Sequence, residues 1–247
     1  MTNFGENILI TGANRGIGLA LVQQLAKING IKHIFACCRD PDNAKELIKL
    51  YKAHFNVVLI KLDVQDDQTF DHAYNQVFKA LQKHGGLNLL INNAGVLEKD
   101  GGSFDTPERK VFQKSFDINS TGVVMVTAKF LPLLQRAAAN KERAIVANIS
   151  STGGSIGTAH KLPFNNVCYG MSKAALNYYT RMMSEYLKDS GIIFVAFCPG
   201  WVKTDMGGPN AILSPEESTS TLLNTISGLK TEDSGRYINR NGETIPD

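Results

Sequence analysis

Short apolar runs alternate with longer amphipathic stretches along all 247 residues of the chain. Seven runs rich in β-branched and apolar residues read as strands, at 7–11, 33–38, 57–63, 87–92, 144–150, 192–199 and near 235–239. The stretches 16–29, 42–54, 66–84, 107–139 and 166–190 read as helices. Ser214-Pro215-Glu216-Glu217 marks one more helix start, with a serine cap, a proline in the first turn and a glutamate three residues on. Alternating β and α units imply a parallel sheet with helices on both faces. The strand candidates are nearly continuous apolar runs, as expected where both sheet faces are covered. Two segments read as functional loops, 152–166 with Pro163 and 207–214 with Gly207-Gly208-Pro209. Loops at the carboxyl ends of parallel strands are where ligands bind in such sheets.

Composition narrows the class. The chain is 43% apolar and 20% charged, long enough for one α/β domain with a real core. A net charge of +3 without a dense Lys/Arg block argues against nucleic acid as a partner. No basic, apolar leader opens the chain, and its longest apolar run, 192–198, is far too short to span a bilayer. Cys37, Cys38, Cys168 and Cys198 show no zinc spacing, and the five histidines share no pattern suggesting metal or catalysis. A reduced, cytoplasmic protein with no metal and no membrane partner is expected. Cys168, beside Tyr169, reads as packing rather than as a nucleophile.

The candidate chemistry lies in polar clusters at the strand ends. The first strand runs into Thr11-Gly12-Ala13-Asn14-Arg15-Gly16-Ile17-Gly18. Missing side chains there let backbone approach a pyrophosphate, and free N–H groups at the helix start attract its charge. The spacing is Gly-x3-Gly-x-Gly, so a tight strand-to-helix turn without a ligand is the competing reading. Arg39 follows the second strand, 27 residues after Gly12, where an acidic residue would bind a free ribose 2′-hydroxyl. An arginine accommodates a 2′-phosphate instead, so NADP is favoured over NAD. Asp40 is the complication, free to pair with Arg39 or to cap the helix after Pro41.

Tyr169 and Lys173 are four residues apart on a helical stretch and share one face. A neighbouring ammonium is expected to lower the phenol's pKa and fit it for proton exchange. Asn92-Asn93-Ala94-Gly95, Ser150-Ser151 and Pro199-Gly200-Trp201-Val202-Lys203-Thr204 end three other strands, and Asn119 lies on the helix between two of them.

This joint pattern resembles the short-chain dehydrogenase/reductases over essentially the whole chain, and within them the carbonyl reductases related to sniffer and to bacterial C-factor. The resemblance implies one Rossmann-type doubly wound domain over residues 1–247, with seven parallel strands in the order 3-2-1-4-5-6-7. It implies NADP-dependent reduction of an aldehyde, ketone or quinone, with Tyr169 as proton donor and Ser151 polarising the carbonyl. Ser150 is the rival to Ser151. Lys173 would lower the Tyr169 pKa and bind the nicotinamide ribose, with Asn119 holding a water behind it. Gly12, Asn14, Arg15, Gly16, Ile17 and Gly18 would hold the cofactor's phosphates, with Arg39 on its 2′-phosphate. Asp63 and Val64 would meet the adenine, and Asn93, Ala94 and Gly95 the adenosine side. Pro199, Gly200, Val202 and Thr204 would hold the carboxamide. Asn93 and Asp63 also have plain structural readings, as a strand bond and a turn cap. Ser151 and Tyr169 are 18 positions apart, more than in many relatives, and the surplus falls in a loop expected to shape the substrate pocket. Trp201, Phe164, Met206 and Leu213 are candidate lining or core. The two long helices point to a homodimer or tetramer, or, with those faces covered otherwise, a monomer. An NAD-dependent alcohol or steroid dehydrogenase and a cofactor-binding signalling regulator are the alternatives.

Overall fold

In a computed structural model, residues 4–82, 84–159 and 166–247 are described. The strands are β1 (Asn7–Thr11), β2 (His33–Cys38), β3 (Val57–Lys61), β4 (Leu89–Asn92), β5 (Ala144–Ile149), β6 (Ile192–Cys198) and β7 (Tyr237–Asn239). They form one parallel sheet in the order β3-β2-β1-β4-β5-β6-β7, as expected. The helices are α1 (Gly16–Leu25), α2 (Lys45–Ala53), α3 (Gln68–Ala80), α4 (Arg109–Phe116), α5 (Gly122–Ala139), α6 (Val167–Tyr186) and α7 (Pro215–Gly228).

Strand alternation divides the core into two layers. Ile8, Ile10, Ile34, Ile145, Val195 and Phe197 face one side and pack with Leu21, Leu25, Leu47 and Leu222 of α1, α2 and α7. Leu9, Phe35, Leu90, Val146 and Phe194 face the other side, with Phe70, Val77, Phe130 and Leu133 of α3 and α5. Cys37 and Cys38 split between the layers, as adjacent strand residues must. All four cysteines are free and buried. Each fully buried Leu, Ile or Phe contributes about 1.5–3 kcal/mol, so the two layers hold the sheet edge rigid where the site forms.

Two local features position that edge. Ser214 accepts from Glu217 N–H at 3.1 Å while Ser214 N–H donates to the Glu217 carboxylate at 2.8 Å, the reciprocal cap that starts α7. The stretch expected as one helix over 107–139 is instead α4 and α5 joined by a π-helical turn, Asp117–Thr121. Gly122 makes room for it, since a Cβ there would stand 2.7 Å from the Val64 carbonyl oxygen. The widened turn carries Asn119, in keeping with π turns at functional sites. The helix predicted over 166–190 ends at Tyr186 and continues as a separate 3₁₀ turn, Lys188–Ser190, before Gly191 in left-handed geometry (φ 76°). No helix among the described residues is long and apolar enough to cross a membrane.

Candidate active site

The chain reverses direction across the sheet between β1 and β4, which opens a crevice at their carboxyl ends. Gly12 turns the chain there with φ +64°, and a Cβ on it would lie 2.9 Å from Ala94 Cα. Gly18 brings α1 closer still, since its Cβ would stand 2.2 Å from the Gly12 carbonyl oxygen. The start of α1 has no side-chain cap and no acidic residue in its first turn, so its N–H groups face the crevice unneutralised. Thr204 closes the far wall, with Cγ2 3.1 Å from where a Gly16 Cβ would be. This cradle fits the pyrophosphate of a dinucleotide. Gly18→Ala is expected to cost about 1–3 kcal/mol and to lower Tm by several degrees, whereas Gly228→Ala, with nothing within 4 Å of its Cβ, should be near neutral. Thermal unfolding of the two variants checks this.

The nucleotide-side residues divide in what they do. Asn93 donates its side-chain amide to the carbonyls of Thr11 and Gly12, at 2.9 and 3.2 Å, and so bonds the two turns together. Ala94 N–H donates to Thr11 Oγ1 at 3.0 Å. Asp63 accepts from Gln65 N–H at 3.1 Å and caps its own turn. Asp40 accepts from Asn43, through that residue's N–H and side-chain amide. Arg39 is exposed and makes no ion pair among the described residues. Arg15 pairs at 2.9 Å with Asp205, which sequence reading did not single out. Asn14 is exposed beside it, while Ile17 packs on the α1 core layer. Pro199 is buried and its carbonyl accepts from Ser218 Oγ at 2.7 Å. Gly200 turns with φ +85°, and Val202 bridges to Leu213.

On the other side of the crevice, α6 begins at an Asn166 cap that accepts from Tyr169 N–H at 2.9 Å. Tyr169 and Lys173 are both buried, at 8% and 4% exposure, with the Lys173 Nζ 5.8 Å from the Tyr169 ring centroid. Lys173 Nζ donates to the Ile149 carbonyl at 2.7 Å. Burial pushes the Tyr169 phenol up to about 12, against a smaller downward pull from its hydrogen bond with Ser151. Burial drives the Lys173 ammonium down to about 8. The expectation that the ammonium lowers the phenol is therefore reversed here, because desolvation of the phenolate outweighs a cation held on a backbone carbonyl. Ser150 is buried and donates its hydroxyl to Asn177 Oδ1 at 2.6 Å, so it is not free for a substrate. Ser151 instead accepts from Gly153 N–H at 3.0 Å and hydrogen-bonds with Tyr169. Asn119 is fully buried, accepts from Val96 N–H and donates to the Val96 carbonyl and to Ser172 Oγ, each within 2.9 Å. Gly95 lies between Asn119 and Lys173, a Cβ there falling 3.2 Å from Asn119 Oδ1 and 3.6 Å from Lys173 Nζ. Ser151, Tyr169, Lys173 and Asn119 thus converge in one place, from β5, α6 and the π turn.

The short chain dehydrogenase family model matches residues 6–211. The chain belongs to this family. It is similar to the NADPH-bound carbonyl reductase from chicken fatty liver, with 38% identity, 98% and 99% coverage of the two chains and a TM-score of 0.93. It is also similar to the carbonyl reductase Sniffer of Drosophila melanogaster, with 35% identity, 98% and 100% coverage and a TM-score of 0.92. The C-signal protein of Myxococcus xanthus is 39% identical over 66% of this chain and 93% of that protein. The chain is therefore an oxidoreductase with the architecture of a carbonyl reductase.

Sequence reading missed Tyr237, Asn177, Cys198 and Asp205, all of which reach the site. None carries a motif; only the sheet order brings β6 and β7 beside Ser151. The apolar lining candidates also resolve in part. Trp201 and Met206 are exposed at 53% and 41%, not core. Leu213 is half-buried against the 200 turn, and Phe164 lies outside the described residues.

Proposed function

We propose that this protein reduces the carbonyl of a small apolar aldehyde, ketone or quinone at the expense of NADPH. The observation that carries this reading is the cluster of half-buried Ser151 with buried Tyr169, Lys173 and Asn119 beside the glycine cradle. The nicotinamide, when bound, supplies the hydride. Tyr169, protonated below about 12, donates its proton to the substrate oxygen. The Ser151 hydroxyl polarises that oxygen, its own lone pair oriented by Gly153 N–H. Lys173 holds the nicotinamide ribose and feeds a proton to Tyr169, and Asn119 steadies the path behind it. The exposed, uncompensated Arg39 supports a 2′-phosphate, and the NADPH held by the chicken carbonyl reductase agrees. Trp201 and Met206 on the rim suit an apolar substrate. Exposed Met171, Tyr178, Met182 and Tyr186 along α6 support a homo-oligomer built on that helix.

The similarity to C-signal favours a second reading, a cofactor-binding signalling protein in which chemistry is incidental. Tyr169→Phe separates the two: a biological effect that survives this substitution with nucleotide still bound supports signalling.

A pH profile follows from burial of Lys173. Its charged form is the useful one, and a lowered pKa means the charge is lost early on raising pH. kcat/KM for reduction should stay level below pH 7 and fall by up to about tenfold per unit above a break near 8. Steady-state rates from pH 6 to 10 check this; a level profile through pH 10 would remove Lys173 from the proton path.

A further inference from the structure

Behind the catalytic serine, three elements converge on one short 3₁₀ turn, Thr152–Gly154. From β6, Cys198 Sγ accepts from Thr152 N–H at 3.3 Å. From α6, Asn177 donates to the Gly154 carbonyl at 3.3 Å and takes the Ser150 hydroxyl on its other atom. From β7, the Tyr237 hydroxyl donates to the carbonyl oxygen of Ser151 itself. Tyr237 is 4% exposed, and its ring is fixed by strand pairing opposite Ala196 and by Ile245 N–H on its carbonyl at 2.9 Å. The same Ser151 oxygen accepts Gly154 N–H at 2.9 Å, so both its lone pairs are engaged.

A phenylalanine would fill the Tyr237 site without burying an oxygen, and burying a hydroxyl costs free energy unless it bonds. That oxygen meets the backbone of Ser151, whose side chain hydrogen-bonds the Tyr169 phenol. Burial also keeps the Tyr237 phenol protonated well above its ordinary range, so it remains a donor throughout working pH. We infer that Tyr237 is a positioning residue for the reduction proposed above, clamping the Ser151 carbonyl so that the Ser151 hydroxyl is held between Tyr169 and the substrate oxygen. It does not itself touch substrate or cofactor. The inference rests on the carbonyl-reductase reading of the site.

A double-mutant cycle tests it, with Tyr237→Phe, Ser151→Ala and the combined variant compared with wild type. NADPH oxidation is followed with an aromatic quinone and a 1,2-diketone as probes. Tyr237→Phe should lower kcat about five- to tenfold with KM for NADPH unchanged, as expected from the loss of one buried hydrogen bond. In the Ser151→Ala background it should cost less than about twofold, because the group it positions is gone. A merely structural hydroxyl would lower stability equally in both backgrounds and leave kcat alone. Amide exchange in the nucleotide-free protein is a second readout that needs no substrate. Exchange at Gly153 and Gly154 should quicken in Tyr237→Phe. Unchanged exchange, unchanged kcat, or an equal loss in both backgrounds overturns the inference. If Ser151→Ala lowers kcat while Tyr237→Phe does not, only this inference fails. If Ser151→Ala costs nothing, the carbonyl-reductase reading of the site fails with it.

Discussion

Tyr169→Phe is expected to lower kcat for carbonyl reduction by about 10²–10⁴-fold while NADPH binding stays within a few-fold of wild type. The substitution removes one oxygen and leaves the ring, so packing on α6 is preserved. In the proposed reaction that oxygen and the Ser151 hydroxyl are the two hydroxyls facing the substrate oxygen. The Ser151 hydroxyl cannot replace Tyr169, because an aliphatic hydroxyl releases its proton far less readily than a phenol. The Tyr169 phenol sits up at about 12, so it gives up its proton only as the substrate oxygen gains negative charge. Lys173, held down at about 8, can return a proton at neutral pH. Single-turnover oxidation of bound NADPH separates the chemical step from binding. A Phe variant that keeps more than about a tenth of wild-type kcat would place the proton donor elsewhere.

Arg39→Asp is expected to weaken NADPH about 10²–10³-fold and to leave NADH equal or tighter. The guanidinium follows Cys38 at the end of β2, is exposed, and makes no ion pair among the described residues. Charge-assisted hydrogen bonds to a phosphate contribute about 1.5–3 kcal/mol each, and an aspartate adds repulsion of similar sign. At about 1.4 kcal/mol per factor of ten, the two together reach that range. The same aspartate can accept from a free 2′-hydroxyl, which is why NADH does not suffer. Fluorescence titration of wild type and variant with both nucleotides measures the ratio. An Arg39→Asp protein whose preference is unchanged would favour the NAD-dependent alternative.

The strands were legible because both faces of the sheet are covered, which turns each strand into an apolar run bounded by Gly, Asn or Pro. The start of α7 was legible because Ser214 and Glu217 satisfy each other locally. The π turn at Asp117–Thr121 was not, since helical periodicity reads the same through it and its cause, the approach of Val64 to Gly122, is tertiary. The direction of the Tyr169 shift was misread for the same reason. Sequence shows that a lysine lies one turn away, but not that the phenol is buried and that the lysine is occupied by the Ile149 carbonyl. In the sequence, Ser151 is preferred over Ser150 on the family resemblance alone, and the physical difference between them, the Ser150 hydroxyl taken up by Asn177, is tertiary. Asn93 bonds its segment to the Thr11–Gly12 turn and Asp63 caps its own turn, the plain structural roles that their residue types allow.

NADPH-dependent carbonyl reduction can be read in a single titration. The single tryptophan, Trp201, stands on the segment after β6 that closes the crevice, so its emission reports on a nicotinamide bound there. Purified protein is titrated with NADPH and with NADH, and aldehydes, quinones and diketones are then added to the loaded protein. NADPH should quench Trp201 saturably at concentrations at least about tenfold below those NADH requires, and at least one carbonyl should then abolish the NADPH absorbance. Failure of both nucleotides to bind would contradict NADPH-dependent reduction.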